Sequence, residues 1–488
     1  MAGDRVNRFG FGRRILGVKE LNPIQDLPWF ENTDASEPRT LLQSVHYVRG
    51  RLNLYRLPWL RPFIESRWPQ FLIRSLALAG FVFVIAAGLF GSVVGGYNFA
   101  IIFVWIAWWT AFKLVFIPLG GRSWCSICPI PLPGDWLQQG GILRKGRGFG
   151  LNLRWPKRLK GSWLQSSAFL LVGLFSALTL TSPRVTGWVF VALFVLAIGL
   201  SLIFERRAFC SSICPIGGIS GIYAQTAPVE LRVIDREICA KHGDKSCYHA
   251  CPWGLYPVAL RDSSACGLCM ECLRACPKDN LALNLRPFGD DIGKTRTANR
   301  LDETFLALVM LGSALAFAAV FVGPWGWLKS AAYEIGSLRW VGYAAGFLLL
   351  NLLVLPGIFS VAVWLGWRKN KLALKREISN QSQALLPLGL MAWIAFTVSF
   401  ALPKLGFVLG VLNDPFGWGW NLLGAVYTSW NPNVAWFSPT LQGLLLAIGM
   451  FWSANVARRL AGDNLRRAVP VLAFCLVFTL AILWILVG

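Results

Sequence analysis

Nine stretches of about 20 residues run through this 488-residue chain almost free of charge: 75–96, 98–118, 163–182, 185–204, 304–323, 340–366, 384–411, 438–456 and 468–487. At about 1.5 Å per residue, each is long enough to cross a hydrocarbon core of about 30 Å. Inside lipid a backbone must satisfy its own hydrogen bonds, and uninterrupted apolar runs of this length do so as helices. The expected fold is a polytopic α-helical membrane protein. A hydrophobic content of 55% against 15% charged residues agrees. The formal charge of +23 needs no nucleic-acid partner, because the basic residues gather in alternate loops. Residues 1–71, 119–162 and 205–303, the Arg368-Lys369-x-Lys371 loop and the Arg458-Arg459 to Arg466-Arg467 loop are basic. The loops around Tyr97, Arg184, Lys329 to Arg339 and Asn413 to Trp436 carry few or no Lys and Arg. The positive-inside rule then places the amino terminus inside and the carboxyl terminus outside a bacterial inner membrane. The first seventy residues contain no short apolar core ahead of a small-residue cleavage site, so no secretory signal is expected.

Eleven of the twelve cysteines fall in tight groups, a pattern of ligands rather than of a disulfide framework. The densest group runs from Cys239 to Pro277. Its second half, Cys266, Cys269, Cys272, Cys276 and Pro277, is the bacterial ferredoxin spacing C-x2-C-x2-C-x3-C-P. Three closely spaced thiolates there wrap one iron–sulfur cubane, and the fourth reaches a second cluster. Cys247-x3-Cys251-Pro252 repeats the tail of that run. Exchanging the tails gives one [4Fe–4S] cluster on Cys266, Cys269, Cys272 and Cys251, and a second on Cys239, Cys247 and Cys276. The second is one thiolate short, and the missing position holds His242. The spacing resembles seven-iron ferredoxins, whose cluster at that place is [3Fe–4S]. Two occupancies are therefore open: a three-iron cluster, or a [4Fe–4S] cluster whose fourth iron takes His242. Imidazole for thiolate removes negative charge and raises the potential. A zinc ribbon would use paired C-x2-C knuckles instead.

A second constellation follows the second and fourth spans. Trp124-Cys125-Ser-Ile-Cys128-Pro129 and Phe209-Cys210-Ser-Ser-Ile-Cys214-Pro215 form an internal repeat, two hairpins each delivering a cysteine pair and a proline to one face. Four thiolates suit one shared membrane-proximal [4Fe–4S] cluster; zinc, or two redox dithiols, are the alternatives. Two such hairpins followed by a cytoplasmic two-cluster module resemble the ferredoxin-type quinol dehydrogenases of periplasmic nitrate reduction. The electron-donor membrane proteins of nitrous oxide reduction share the pattern. The resemblance covers about residues 70–290 and implies oxidation of quinol in support of a partner redox protein. The sequence departs from it in the C-x2-C-P spacing of the first pair, the missing module cysteine and five additional spans.

Four segments result: a basic arm at 1–71, a four-span double hairpin at 72–216, an α+β two-cluster module at 217–300 between spans four and five, and a five-span domain at 301–488. None of His46, His242 and His249 lies in a span, and no C-x-x-C-H motif occurs, so no haem is expected. Lys113 and Lys404 lie near span boundaries, where snorkelling is expected. Cys475 reads as a packing residue. Glu205 and Asp135 are candidate proton acceptors, against the plainer readings of a boundary ion pair and a turn aspartate. The predicted function is exchange of electrons between the quinone pool and a partner redox protein through clusters on the cytoplasmic side. Two alternatives are an electron-relay subunit of a larger respiratory complex, with haem or flavin on its partners, and a redox sensor or maturation factor for another metalloenzyme.

Overall fold

The architecture, given by a computed structural model, is described for residues 51–487 except 141–147, 297–298, 368–373, 425–431 and 463. His46, the basic loop at 368–371 and part of the 413–436 loop lie outside the described residues. The principal helices are α1 Trp68–Phe90, α2 Phe99–Gly120, α3 Trp163–Leu174, α4 Pro183–Ile203, α5 Leu301–Phe321, α6 Leu338–Gly366, α7 Leu374–Lys404, α8 Trp436–Leu460 and α9 Leu465–Val487. Among the described residues, eight of these are long and apolar enough to cross a membrane, and the protein is a multi-pass membrane protein.

The exception is α3, whose 12 residues rise only about 18 Å. The expected helix over 163–182 breaks at Phe175 and resumes briefly as Ser176–Thr179. Hydroxyls cause local competition here: Thr179 Oγ1 donates to the Ser176 carbonyl and Thr181 Oγ1 to that of Ala177, just ahead of Pro183. The interrupted stretch still joins the two ends of the bundle. Ser162 N–H donates to Asp302 at the start of α5, and the Thr181 carbonyl lies against Gly95, beyond the end of α1.

Two helices are locally widened. α2 contains π-helical segments at Ile102–Trp108 and Phe112–Phe116, and α6 contains one at Leu350–Val354. Pro118 and Pro356 follow within two residues of the last segment in each helix. A proline removes one donor and crowds the preceding turn, and a wider turn relieves that crowding. The widening of α2 also turns Lys113 inward. Rather than snorkelling, Lys113 is 3% exposed, its Nζ donates to Thr397 Oγ1 at 3.0 Å, and it lies 4.5 Å from the Trp393 ring centroid. α5 and α7 are the most enclosed helices, and Met310, Leu311, Leu388 and Phe359 centre the main core. Cys475 is fully buried in the same core.

The segment between α4 and α5 supplies two strands, β2 Val229–Val233 and β3 Leu281–Leu285, of a three-stranded antiparallel sheet completed by β1 Leu52–Asn53 in the order β1-β3-β2. β1 comes from the arm expected to stand apart. Leu52 pairs with Leu285, while Tyr55 and Ile64 bury beside Leu231, Leu273 and Leu283. Charge ties the arm down further: Arg51 meets Glu230 at 3.0 Å and Asp290 at 2.6 Å. Beneath the sheet Arg286, fully buried, bridges Glu230 at 2.8 Å and Asp291 at 2.7 Å. Glu230, Asp290 and Asp291 crowd together because Arg51, Arg232 and Arg286 neutralise them. Removing one member of such a network strands the others as buried charges. Arg286→Met should therefore destabilise the module by roughly 3–5 kcal/mol, measured as earlier loss of visible cluster absorbance on denaturant titration.

Candidate iron–sulfur sites

In the first hairpin the chain leaves α2 through Gly121, which has φ +58, and enters the short helix Trp124–Ile127 carrying Cys125. In the second it leaves α4 through Arg206, also at positive φ, and enters Ala208–Ser212 carrying Cys210. Cys128 and Cys214 end these turns in extended conformations fixed by the following prolines. Cys214 also starts the helix Pro215–Tyr223, and its Sγ accepts the Gly217 N–H at 3.4 Å. That helix approaches closely: a Cβ on Gly217 would come within 2.5 Å of the Cys210 carbonyl. The four thiols converge, Cys210 lying within electrostatic reach of Cys214, Cys128 and Cys125.

Two arginines clasp the hairpins to one another. Arg122, three residues before Cys125, donates Nη2–H to the Cys210 carbonyl at 3.0 Å. Arg207, three residues before Cys210, donates Nη1–H to the Cys125 carbonyl at 2.9 Å. The cysteine spacing alone did not reveal this pair. The repeated pattern Arg-x-Trp/Phe-Cys carries the signal, because it places the same cation at the same offset in both halves. Asp135, expected as a proton acceptor, is engaged by Arg207 through both carboxylate oxygens, two of the contacts being 3.1 Å. Glu205 is more open and lies 4.0 Å from Arg154.

The module cysteines divide into two sets. Cys251, Cys266, Cys269 and Cys272 share one neighbourhood. Between them Leu268 and Met270 adopt φ of +50 and +63, conformations that side chains rarely take and that wind three cysteines around one centre. The Leu268 and Glu271 N–H groups bond the sulfurs of Cys266 and Cys269. Cys239, Cys247 and Cys276 form the other set, with Asn280 Nδ2 donating to Cys239 Sγ at 3.3 Å. His242 lines the same small cavity as these three cysteines, and its Nδ1 is buried with no hydrogen-bond partner.

These sets fit polynuclear clusters. None of the cysteines is in a disulfide, yet among the described residues no three sulfurs lie mutually within 4.8 Å. A single tetrahedral zinc with bonds of about 2.3 Å would draw sulfurs to about 3.8 Å. Burial pushes the Cys269 thiol up to about 12 and those of Cys214 and Cys247 up to about 11. Without metal, these sites therefore hold neutral thiols at pH 7, and loading them displaces protons. The hairpin set abuts the first module set. Arg207 N–H donates to the Pro252 carbonyl at 3.0 Å, and Arg206 Nη1–H donates to the Tyr248 and Cys251 carbonyls.

The 4Fe-4S binding domain family matches residues 101–150 and 186–232, the two hairpins and their cysteine pairs. Two curated relatives are methylamine utilization ferredoxin-type proteins MauN. That of Paracoccus denitrificans is 27% identical over 156 residues, 28% of this chain and 51% of the relative. That of Methylorubrum extorquens is 29% identical over 155 residues, 28% of this chain and 50% of the relative. The chain thus spans about half the length of the curated relatives it matches, and no solved structure matches it. Together these findings describe a multi-pass membrane chain that carries a 4Fe-4S binding domain and has distant, partial similarity to ferredoxin-type proteins. Replacing Cys128 and Cys214 together by Ala should lower anaerobically measured iron by about four per chain while the module signals persist in EPR.

Proposed function

We propose that the protein is a membrane-anchored electron wire, exchanging electrons between the quinone pool and a partner redox protein on the cytoplasmic side. The observation that carries this reading is the row of three thiol sets at one end of the helical bundle, the innermost against the lipid-level hairpins. Occupied by iron–sulfur clusters, such sets supply one-electron transfer. The chain's own residues shape that transfer. Arg122 and Arg207 place positive charge beside the hairpin set, N–H groups bond the sulfurs, and burial excludes water.

The topology proposed is nine crossings, amino terminus inside and carboxyl terminus outside. One support is independent of loop charge. β1 precedes α1, and β2 and β3 follow α4, yet all three strands share one sheet. An even number of crossings must separate them, so the interrupted 163–182 stretch counts as one of the four. The C-terminal helices α5–α9 anchor the hairpins through the main core.

For the short set we propose His242 as the fourth ligand. A buried imidazole nitrogen with no partner, in a wall shared with three cysteines, is otherwise a desolvated polar atom left unpaired. Wild type should show no oxidised three-iron EPR signal, and His242→Ala should gain one. A three-iron signal in wild type, prepared without oxygen, would reverse the assignment.

Quinone exchange is tested on the intact protein in lipid nanodiscs. Dithionite-reduced clusters should reoxidise on anaerobic addition of decylubiquinone. If ferricyanide restores the colour and the quinone does not, the reading fails.

A further inference from the structure

The two clasping arginines are equivalent in sequence but not in surroundings. Arg207 carries Asp135. Arg122 is 5% exposed, directs its Nη groups to the carbonyls of Cys210, Ser264 and Ala265, and leaves its Nε–H without an acceptor. It lines a cavity of about 190 Å³ whose walls include Gln165, Trp253, Asp302 and Leu306. The indole Nε1–H of Trp253 is also buried without an acceptor. That indole is held in place by Gly267, where a Cβ would come within 2.3 Å of the ring. Two donors without acceptors, on two residues that line one cavity, leave a place for a ligand with acceptor oxygens.

Size, polarity and position narrow that ligand. A cavity of about 150 Å³ accommodates a benzene ring, so this one accommodates a substituted ring. Ile222 and Leu306 give it an apolar side, at the level where α3 and α5 begin and the Trp163 and Phe305 rings pack at 5.3 Å. Trp163 is itself 49% exposed, at the rim of the bundle. Arg300 and Glu303 add a charged side, and other walls adjoin both neighbouring thiol sets. Ser211 adjoins Cys210, Gly217 bonds Cys214, and Ala265 adjoins Cys266. A free inorganic anion would account for the donors but not for the apolar side or the redox neighbours.

We infer that this cavity is the quinol site, with the two ring oxygens taken by Arg122 Nε–H and Trp253 Nε1–H. The inference rests on the quinone-exchange reading and gives it a location. The quinol gives up two electrons and two protons and leaves as the quinone. Clusters held by Cys125, Cys128, Cys210 and Cys214 and by Cys251, Cys266, Cys269 and Cys272 would each supply the place for one of those electrons. The first proton passes to the Asp302 carboxylate, which hands it to water before taking the second. Asp302 is suited to this transfer because it is half-buried, accepts the Ser162 N–H at 2.8 Å, and forms no ion pair among the described residues. Its neighbour Glu303 is occupied by Arg296 and Arg300.

The test uses full-length protein with its clusters in nanodiscs, decylubiquinol as reductant and an azidoquinone as photolabel. Trp253→Phe keeps the ring and deletes the donor, and should raise the half-saturating quinol concentration about 3- to 10-fold. Asp302→Asn should lower the maximal rate of cluster reduction at least about 100-fold and remove a limb of its pH profile. Dithionite should reduce both variants as it does wild type. On wild type the photolabel should fall within 211–223 or 300–306. Unchanged quinol kinetics in both variants, or labelling confined elsewhere, overturns the location while leaving quinone exchange standing. Wild-type clusters that neither accept electrons from quinol nor return them to quinone overturn the exchange reading and the site with it.

Discussion

Two buried guanidinium groups hold the centre of this protein together. Each reaches from one hairpin to a cysteine carbonyl of the other, so neither cysteine pair is positioned by its own hairpin alone. Placing a cation in a desolvated setting is costly unless its donors are satisfied, and here four main-chain carbonyls and one carboxylate absorb most of them. The same charges lie close to thiols that burial would keep neutral, and an anionic cluster on those thiols gives the arginines a counter-charge. Geometry and electrostatics therefore depend on one another. The clasp assembles the sulfur set, and the loaded set compensates the clasp.

The rest of the fold serves this junction. α1 and α4 deliver the second hairpin and hold the first: α4 leads to Cys210, and Arg74 on α1 donates to the Ser126 carbonyl at 2.6 Å. The buried helices α5 and α7 form a rigid back wall. Arg207 bonds Pro252, and this contact helps seat the module on the membrane domain next to its own first cysteine set. Direct polypeptide contacts thus join the hairpin set to the first module set at one end of the bundle.

Much of this was legible in the chain. The run Cys266 to Cys276 keeps three of its cysteines in one neighbourhood, because spacing along a short turn is a local property. Apolar runs are equally local, and eight of the nine expected spans emerge as helices long enough to cross. What stayed hidden depends on partners distant in sequence. β1 is two residues long and has meaning only beside β3. Lys113 reads as a boundary lysine until Thr397 and Trp393, far along the chain, close around it. The break at Phe175 is a contest between hydroxyls and the helix ladder, which hydropathy does not weigh. The arginine clasp stood in plain view as the repeated Arg-x-Trp/Phe-Cys pattern, but a repeat of cations gains meaning only once the two copies are seen to face one another.

The pairing of β1 with β3 also sets an order of events during biosynthesis. The ribosome makes Leu52 and Asn53 before α1, whereas their partners Asn284 and Leu285 emerge only after α1 to α4 have been made. Those two residues must therefore stay unpaired with β3 while α1 to α4 are laid down. The fold around Cys239, Cys247 and Cys276 is therefore finished only once the chain has been made through β3, and not when the first of those cysteines appears.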